Sequence, residues 1–389
     1  MKLAVVTPRY GTEIPGGAET AARLLATRLA QDTEWAVEVL TTCASDASTW
    51  ANHYAPGAEV VDGVPVQRFP VARTRAPDFD AATDEFVRRG MGATGEEQQK
   101  WLQAQGPYAP QLVDAIAASD ADAIAFHPYL YHPTVAGLAR VSNRSVLHPA
   151  AHDEPPLRFS MYTNLFEDAA ALGYWSEPER ALVQARFAIS QKPAAVVGLG
   201  TDARDGDAAP ARVSLSLDDR PFLLCLGRVD DGKGATLLAQ CFTAYKDRRS
   251  GPLQLVFAGP VAHRPASHPD IVVAGAVDEA VKWGLLRGAL ALVTPSAFES
   301  FSIVLMEAWA VGTPALVNRR CAVTRDHAER SGGALAFGSY AELEVALDRL
   351  TGSPALAAAL GTAGRAYVNA YYRWPDVVAR YTTLISQLG

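Results

Sequence analysis

Two glutamates in the C-terminal third of the chain have a spacing that could hold the two ends of one ligand. Glu299 and Glu307 lie where the apolar run LALVTP, which predicts a strand, gives way to IVLMEAWAV, which predicts a helix ending near Gly312. Glu299 is therefore expected in the loop, and Glu307 one to two turns inside the helix. Carboxylates in these positions can accept hydrogen bonds from the hydroxyl groups of a ligand.

The residues between the two glutamates lead into this helix. The backbone amides of Phe301, Ser302 and Ile303 have no partner inside the helix, so the helix start is a ready anion site. A phosphate cradle with a carboxylate on either side suits a ligand that has a diphosphate in its middle and hydroxyls at both ends. A nucleotide-sugar has that shape.

Two cations follow a candidate strand further upstream. The strand FLLCLG leads into RVDDGKG, which carries Arg228 and Lys233 and precedes a predicted helix. This places both cations at the carboxyl end of a strand. There a guanidinium can bind two phosphate oxygens, and an ammonium adds a compact charge. Both side chains are candidates for binding the diphosphate.

Candidate site residues in the first half of the chain also follow strands. The loop after KLAVVTP contains Gly16 and Gly17, which let a phosphate or sugar approach the backbone. Their spacing differs from the G-x-G-x-x-G of dinucleotide-binding proteins. His127 follows the strand AIAF, and His152 with Asp153 follows the strand SVL. The carboxyl ends of parallel strands are where such sheets bind ligands.

The elements that must position these residues belong to two α/β domains. The chain has 389 residues, of which 49% are hydrophobic and 20% charged, enough for two ordinary cores. Strands alternate with helices in two series, which is typical of parallel sheets covered on both faces. The predicted domains are 1–200 and 221–370, with an Asp-rich linker at 201–220 and a terminal helix at 371–389. Residues 74–110 are predicted to form a helical insertion.

Charge, cysteine content and hydropathy exclude several classes of protein. A net charge of −7 argues against a dedicated nucleic-acid-binding protein. The four cysteines lack the spacing of a metal site and are expected to be buried fillers in a reducing compartment. No apolar run reaches about eighteen residues and no signal peptide is apparent. We therefore expect a cytoplasmic protein with at most peripheral membrane contact.

Three motifs together resemble those of one enzyme family. The E-x(7)-E segment, the R-x(4)-K segment and the stretch Gly16-Gly17-Ala18-Glu19 are similar to motifs of retaining GT-B glycosyltransferases, family 4 (glycosyl transferases group 1). The resemblance implies an α/β, GT-B fold: two Rossmann-like domains face each other across a cleft, and a C-terminal helix crosses back to the first domain. It also implies transfer of a hexose from a nucleotide-diphospho-sugar to an acceptor hydroxyl, with retention of anomeric configuration.

The resemblance further implies roles for individual residues. Glu299 would bind hydroxyls of the sugar and Glu307 those of the ribose, while the backbone near Val277 would meet the base. The groups expected to take part in catalysis are Glu299, His127, Arg228 and Lys233. The residues expected to bind the donor are Gly16, Gly17, Val277, Ser300, Phe301, Ser302, Ile303 and Glu307. The candidates for the acceptor or sugar site are His152 and Asp153.

Neither a metal ion nor a cofactor is expected beyond the nucleotide-sugar itself. Arg228, Lys233 and the helix start after Glu299 can meet the charge of the leaving diphosphate. The letters of a metal-binding D-x-D motif occur at Asp120 and Asp122. We interpret them as a solvated turn, because they lie at the entry to a strand rather than at its carboxyl end.

The sequence leaves the substrates and three other functions open. Ser300 and Ser302 stand where many relatives have glycine, which keeps the backbone amides but bears on the fit of the sugar. Enzymes with these motifs use both UDP-linked and GDP-linked donors, and the acceptor could be a polysaccharide, a lipid carrier or a small metabolite. The alternatives are a dinucleotide-dependent oxidoreductase, disfavoured by its missing glycine fingerprint, a nucleotide-sugar epimerase of the same fold, and a non-catalytic nucleotide-sugar-binding protein.

Overall fold

The computed structural model describes residues 1–76, 79–89 and 93–388. The chain divides into two compact units, each built on one sheet. The first unit contains Met1–Leu199 and the chain from Val377 onward, and the second contains Gly200–Asp376. None of the helices in the described residues is long and apolar enough to cross a membrane.

The first unit is an eight-stranded α/β unit. Its strands are β1 (Lys2–Val6), β2 (Ala36–Thr42), β3 (Gly57–Val61), β4 (Val64–Phe69), β5 (Ala123–Phe126), β6 (Ser145–Leu147), β7 (Ala171–Tyr174) and β8 (Ala194–Val196). They form a sheet in the order β3-β4-β2-β1-β5-β6-β7-β8, in which β3 pairs antiparallel with β4 and the other neighbours pair in parallel. Its helices are α1 (Gly17–Asp32), α2 (Phe79–Arg89), α3 (Gly95–Gln105), α4 (Pro110–Ala118), α5 (His132–Leu138), α6 (Met161–Asp168) and α7 (Glu177–Arg186).

The second unit is built on a six-stranded, wholly parallel sheet. Its strands are β9 (Phe222–Leu226), β10 (Gln254–Ala258), β11 (Ile271–Gly275), β12 (Ala291–Thr294), β13 (Ala315–Asn318) and β14 (Ala334–Phe337). The strand order is β11-β10-β9-β12-β13-β14. Its helices are α8 (Ala208–Ser214), α9 (Ala235–Arg248), α10 (Glu279–Gly288), α11 (Ile303–Ala310), α12 (Ala322–Ser331), α13 (Tyr340–Gly352) and α14 (Pro354–Tyr371), and α15 (Trp374–Ile385) leads back into the first unit.

The parallel order of the second sheet decides which loops meet. Strands β9 and β12 are hydrogen-bonded neighbours at the centre of the sheet. Their connections to α9 and α11 therefore leave the same edge side by side, at the point where the strand order reverses direction. Open parallel sheets bind ligands at such a point. The two motif-bearing loops of the sequence, 227–234 and 295–302, are these two connections.

The segment predicted as a linker contains a helix of its own. Helix α8 lies within 201–220, and the whole segment groups with the second unit. Asp207 begins this helix, because its side chain accepts a hydrogen bond from the Ala209 amide at 3.2 Å. Gly206 packs so closely on Trp283 of α10 that a Cβ atom there would lie 2.6 Å from it. The segment thus folds as part of the second unit, and Asp207 serves as a helix cap there.

The C-terminal helix contributes to the core of the first unit. Tyr381 of α15 is fully buried and stacks against His148, with the ring centroids 5.4 Å apart. Arg380 donates to the Val197 carbonyl at 2.8 Å. The predicted insertion at 74–110 contains α2 and α3, and Thr94 and Glu97 form a capping box at the start of α3. The short strands β7, β8 and β14 did not stand out in the sequence, because they contain few of the β-branched residues that favour strands.

Candidate functional site

The two cation and carboxylate motifs of the second unit are in direct contact. Lys233, in the loop after β9, places its Nζ atom 2.7 Å from Oε1 of Glu299, in the loop after β12. The Lys233 side chain is 38% exposed and that of Glu299 is 17% exposed. The pair is therefore accessible to a ligand from the lysine side. Sixty-six positions separate the two residues in sequence, so the fold alone brings them together.

Asp230 organises the loop that carries the cations. Its Oδ1 atom accepts a hydrogen bond from the Lys233 amide at 2.7 Å, and its other carboxylate oxygen pairs with the Arg228 guanidinium. Gly234 then begins α9 in a left-handed conformation, with φ at 78°. The Arg228 side chain remains 55% exposed. The loop thus places the Arg228 guanidinium and the Lys233 ammonium at the carboxyl edge of the sheet.

Glu307 is held by a lysine that the motif search missed. It lies in the second turn of α11, and its Oε1 atom is 2.9 Å from Nζ of Lys282 on α10. Lys282 also pairs with Glu279 at 2.8 Å. Burial raises the pKa of Glu307, while Lys282 acts in the opposite direction. Burial alone would lower the pKa of Lys282, but Glu307 and Glu279 outweigh it and hold that pKa above its usual value.

The helix start between the glutamates has an unusual backbone. Ser302 is the N-cap of α11 and takes the left-handed conformation, with φ at 69°, and its side chain makes no capping hydrogen bond. Phe301 before it is buried against His327 and Tyr372, with ring centroids 5.6 and 5.2 Å apart. Ser300 is half-buried, and Ile303 is the first residue of the helix. Packing of the Phe301 ring thus holds this loop in place, and the backbone amides of Phe301, Ser302 and Ile303 lie at the helix start.

Val277 lies at a second helix start on the same edge of the sheet. It follows β11 and precedes Asp278, whose side chain caps α10 by accepting from the Val281 amide at 2.8 Å. Val277 itself is half-buried. Since β11 and β9 are separated by one strand, Val277 lies on the outer side of the cation loop. This position is compatible with backbone contacts to a planar group.

In the first unit, the glycine pair lies at the start of α1. Gly16 is its N-cap, with φ at 148°, and Gly17 is the first helical residue. A Cβ atom on Gly16 would come within 2.3 Å of a Glu19 carboxylate oxygen. Glu19 forms a buried ion pair with Arg9 from the loop after β1, with Nε and Oε1 3.0 Å apart. Glu19, the fourth residue of the Gly16-Gly17-Ala18-Glu19 motif, therefore packs against the glycine turn from its buried side.

His127 is part of a buried aromatic stack. Its ring lies parallel to that of His148, with centroids 4.3 Å apart, and His148 in turn stacks on Trp175 at 5.0 Å. His127 is 1% exposed, and neither of its ring nitrogens has a hydrogen-bond partner in the described residues. Burial lowers the pKa of His127 well below its usual range, and it lowers the pKa of His148 to about 3. Both rings are neutral at pH 7.

The remaining candidates lie after β6 and before β5. His152 Nδ1 is 3.5 Å from a Glu154 carboxylate oxygen, and Asp153 forms an exposed pair with Arg158 at 2.9 Å. Asp122 accepts a hydrogen bond from the Lys2 amide at 2.7 Å, and the exposed Asp120 pairs with the Lys2 ammonium. The D-x-D letters therefore lie at the amino edge of the sheet, as expected. In the described residues no group of three or more His, Cys, Asp or Glu side chains could hold a metal ion.

The geometry of the second unit suits a phosphorylated ligand with hydroxyl groups. Lys233, Arg228 and the start of α11 supply positive charge and N–H donors at one edge. Glu299 and Glu307 supply acceptors on either side of them. Each glutamate has an ammonium within 3 Å of its carboxylate. Charged acceptors form the stronger hydrogen bonds to hydroxyls.

Comparisons with known proteins agree with this geometry. Residues 220–352 match the family model described as glycosyl transferases group 1. Over 256 residues the chain is 30% identical to the D-inositol 3-phosphate glycosyltransferase of Frankia alni, a match that covers 59% of this chain and 62% of that protein. The chain thus matches about three fifths of the length of this curated relative.

Solved structures of similar fold cover the whole chain. Sucrose-phosphate synthase from Thermosynechococcus elongatus matches with a TM-score of 0.74 at 19% identity, covering 100% of this chain and 98% of that one. Anabaena Alr3699/HepE, solved in complex with UDP and glucose, matches with a TM-score of 0.71 at 15% identity, covering 99% of each chain. The protein therefore has the GT-B fold, and residues 220–352 of its second unit match the family model of the glycosyl transferases group 1.

Proposed function

We propose that the protein transfers a hexose from a nucleotide-diphospho-sugar to an acceptor hydroxyl, with retention of the anomeric configuration. The observation that carries this proposal is the 2.7 Å contact between Lys233 and Glu299. A cation suited to phosphate and a carboxylate suited to sugar hydroxyls meet there, at the switch point of a parallel sheet. A nucleotide-sugar presents its β-phosphate and its sugar ring to a protein in that same juxtaposition.

In this proposal the second unit stabilises the departing nucleoside diphosphate. Negative charge grows on the phosphates as the bond to the sugar breaks, so fixed cations and amides near them lower the barrier. Arg228, Lys233 and the start of α11 supply these groups. Glu307 accepts hydrogen bonds from the ribose hydroxyls, and the backbone near Val277 meets the base. Lys282 opposes the effect of burial on the pKa of Glu307 and, at 2.9 Å, holds its carboxylate in place.

Glu299 binds hydroxyls of the sugar as an acceptor, and it is not a nucleophile. Its carboxylate is engaged by Lys233, which makes it a weaker nucleophile than an unpaired carboxylate. The acceptor hydroxyl then attacks from the face that the diphosphate leaves and gives its proton to the departing phosphate oxygen, so that the configuration is retained. His127 is 1% exposed, so in this proposal it supports the site by stacking on His148 rather than by touching the sugar, and Gly16 and Gly17 let the donor approach the backbone.

The donor's charge is met by the protein's own cations, so the proposed reaction needs no metal ion and no cofactor. The relative solved with UDP and glucose supports a UDP-linked hexose as the first donor to test, and a GDP-linked hexose is the second. The inositol phosphate named for the Frankia relative supports a small hydroxylated acceptor. In this proposal the first unit binds the acceptor, with His152 and Asp153 as candidate contacts.

Donor screening followed by product analysis tests the proposal. Each nucleotide-sugar of a UDP and GDP panel is added to the protein, and the unfolding temperature is measured, since a ligand that binds the native state raises it. The stabilising donor is then incubated with inositol phosphate and simple sugar acceptors. A new glycoside with retained configuration is the expected product. A changed nucleotide-sugar in the absence of any acceptor would indicate an epimerase, and binding without turnover of any acceptor would indicate a non-catalytic protein.

A further inference from the structure

Ser302 has two energetically unfavourable features, one in its backbone and one in its side chain. It is an N-cap serine with φ at 69° and ψ at 72°, in the left-handed region that disfavours residues other than glycine. It is also 5% exposed, and its hydroxyl has no hydrogen-bond partner in the described residues. A buried hydroxyl without a partner destabilises the folded state. Both costs fall on one residue of the proposed donor site.

Other helix starts of the same unit show what an N-cap serine ordinarily does. Ser339 begins α13 in an extended conformation, with φ at −147°, and its hydroxyl accepts a hydrogen bond from the Glu342 amide. This is the usual serine cap. Gly234 begins α9 with φ at 78°, a backbone conformation that glycine adopts without strain because it has no Cβ atom. Ser302 combines a left-handed backbone, like that of Gly234, with a serine side chain, like that of Ser339, but its hydroxyl makes no capping hydrogen bond.

The unused hydroxyl lies at an anion-binding helix start. It belongs to the N-cap residue of α11, so it stands beside the first amides of a helix of eight residues. Glu299, three residues earlier, is paired with Lys233. A phosphate oxygen that accepts from these amides also comes within reach of the Ser302 side chain, and an O–H donor to a charged oxygen forms a strong hydrogen bond.

We propose that the Ser302 hydroxyl donates a hydrogen bond to the diphosphate of the bound donor and so acts as a side-chain contact in addition to the backbone amides. The inference rests on the proposed function, since it names one further contact of the same ligand. It accounts for both features of Ser302: the left-handed backbone prevents the hydroxyl from capping its own helix, and the ligand supplies the missing partner.

Binding and stability measured together test this inference. Isothermal titration calorimetry with UDP and with GDP is performed on the wild type, on Ser302→Ala and on Ser302→Gly, and thermal unfolding is recorded without ligand. Both variants lose the hydroxyl, so we expect both to bind the preferred diphosphate at least tenfold more weakly, equivalent to about 1.4 kcal/mol. Ser302→Gly also relieves the left-handed backbone, so it should unfold at a higher temperature than the wild type.

A matched serine variant separates the hydroxyl's contact from a general loss of stability. Ser339→Ala removes the capping hydroxyl of α13 and should lower the unfolding temperature while leaving the affinity for the diphosphate unchanged. If Ser302→Ala does not fold, Ser302→Gly decides the question, because glycine adopts this backbone without strain.

The outcomes distinguish the inference from the proposed function. Wild-type affinity in both Ser302 variants would overturn the inference and leave the proposed donor site intact. A wild type that binds neither UDP nor GDP would overturn the proposed function, and the inference with it. A Ser302→Gly variant that binds more weakly and unfolds at a higher temperature would establish a residue that exchanges stability for ligand binding.

Discussion

Replacing Lys233 by methionine removes the ammonium that faces both Glu299 and the proposed diphosphate. In the free protein the pair is partly exposed, at 38% for the lysine and 17% for the glutamate, so it contributes at most about 1 kcal/mol. A hydrogen bond to the multiply charged diphosphate is stronger, about 1.5–3 kcal/mol for charged groups. We therefore expect Lys233→Met to bind UDP or GDP roughly 10- to 150-fold more weakly.

Glu299→Gln should act in the opposite direction on the same ligand. In the free protein Glu299 competes with phosphate for the Lys233 ammonium. Removing its charge releases the lysine, so the affinity for UDP or GDP should stay the same or rise by up to about fivefold, the equivalent of about 1 kcal/mol. Transfer of the sugar should nevertheless fall, because the sugar hydroxyls lose a charged acceptor.

Calorimetry on the two single variants and the double variant measures the coupling between these groups. Lys100→Met is the matched control: Lys100 forms an ion pair of the same length, 2.7 Å, with Glu96 on the exposed surface of α3, and its loss should leave diphosphate affinity unchanged. Unchanged affinity in Lys233→Met would refute the phosphate assignment. Equal weakening in Lys233→Met and Glu299→Gln would refute the division of roles between phosphate and sugar.

Four further predictions concern the ribose contact, pH dependence and metal. Glu307→Gln should weaken UDP or GDP binding by about 1 kcal/mol. Lys282→Met should raise the pKa of Glu307 further, so that the variant's affinity for UDP or GDP falls more steeply than that of the wild type as the pH is lowered; parallel pH profiles in calorimetry would contradict this. His148 has a pKa of about 3 in the folded protein and about 6.5 when unfolded, so its contribution to stability is complete above pH 6.5 and is lost as pH falls below it. His148→Phe should therefore show a smaller drop in unfolding temperature between pH 7 and pH 5 than the wild type. Sugar transfer should persist in excess chelator, and a rate that collapses there and returns with magnesium would contradict the metal-independent proposal.

The sequence predicted the central elements of the fold and the positions of the motif residues. Glu299 lies in a loop and Glu307 inside a helix, as the change from LALVTP to IVLMEAWAV indicated. Strand β12, before this junction, is buried along its whole length and its sequence is a continuous apolar run. Helix α8 was missed, because a seven-residue surface helix capped by Asp207 has the polar composition of a linker. The polar composition of this segment reflects its exposure to solvent and does not indicate a flexible chain.

The partners of the motif residues could not be predicted in the same way. Lys282 lies 25 positions before Glu307 on a different helix, and nothing in the run AVKWGLL marks it as the counterion. The stack of His127 on His148 depends on the register between β5 and β6, which pairs Phe126 with Leu147. The left-handed backbone of Ser302 was hidden as well, since a serine at a helix start ordinarily indicates an extended cap. Contacts made by the fold, not local pattern, decide these features.

The anomeric configuration of the first product tests the central claim most directly. With the donor that raises the unfolding temperature, proton NMR at early times follows the anomeric proton of the transferred sugar, with Glu299→Gln as a parallel sample. We predict a glycoside with the configuration of the donor, formed by the wild type and much more slowly by Glu299→Gln. A product of inverted configuration, or equal rates in the two proteins, would contradict the account of Glu299 and of the donor site.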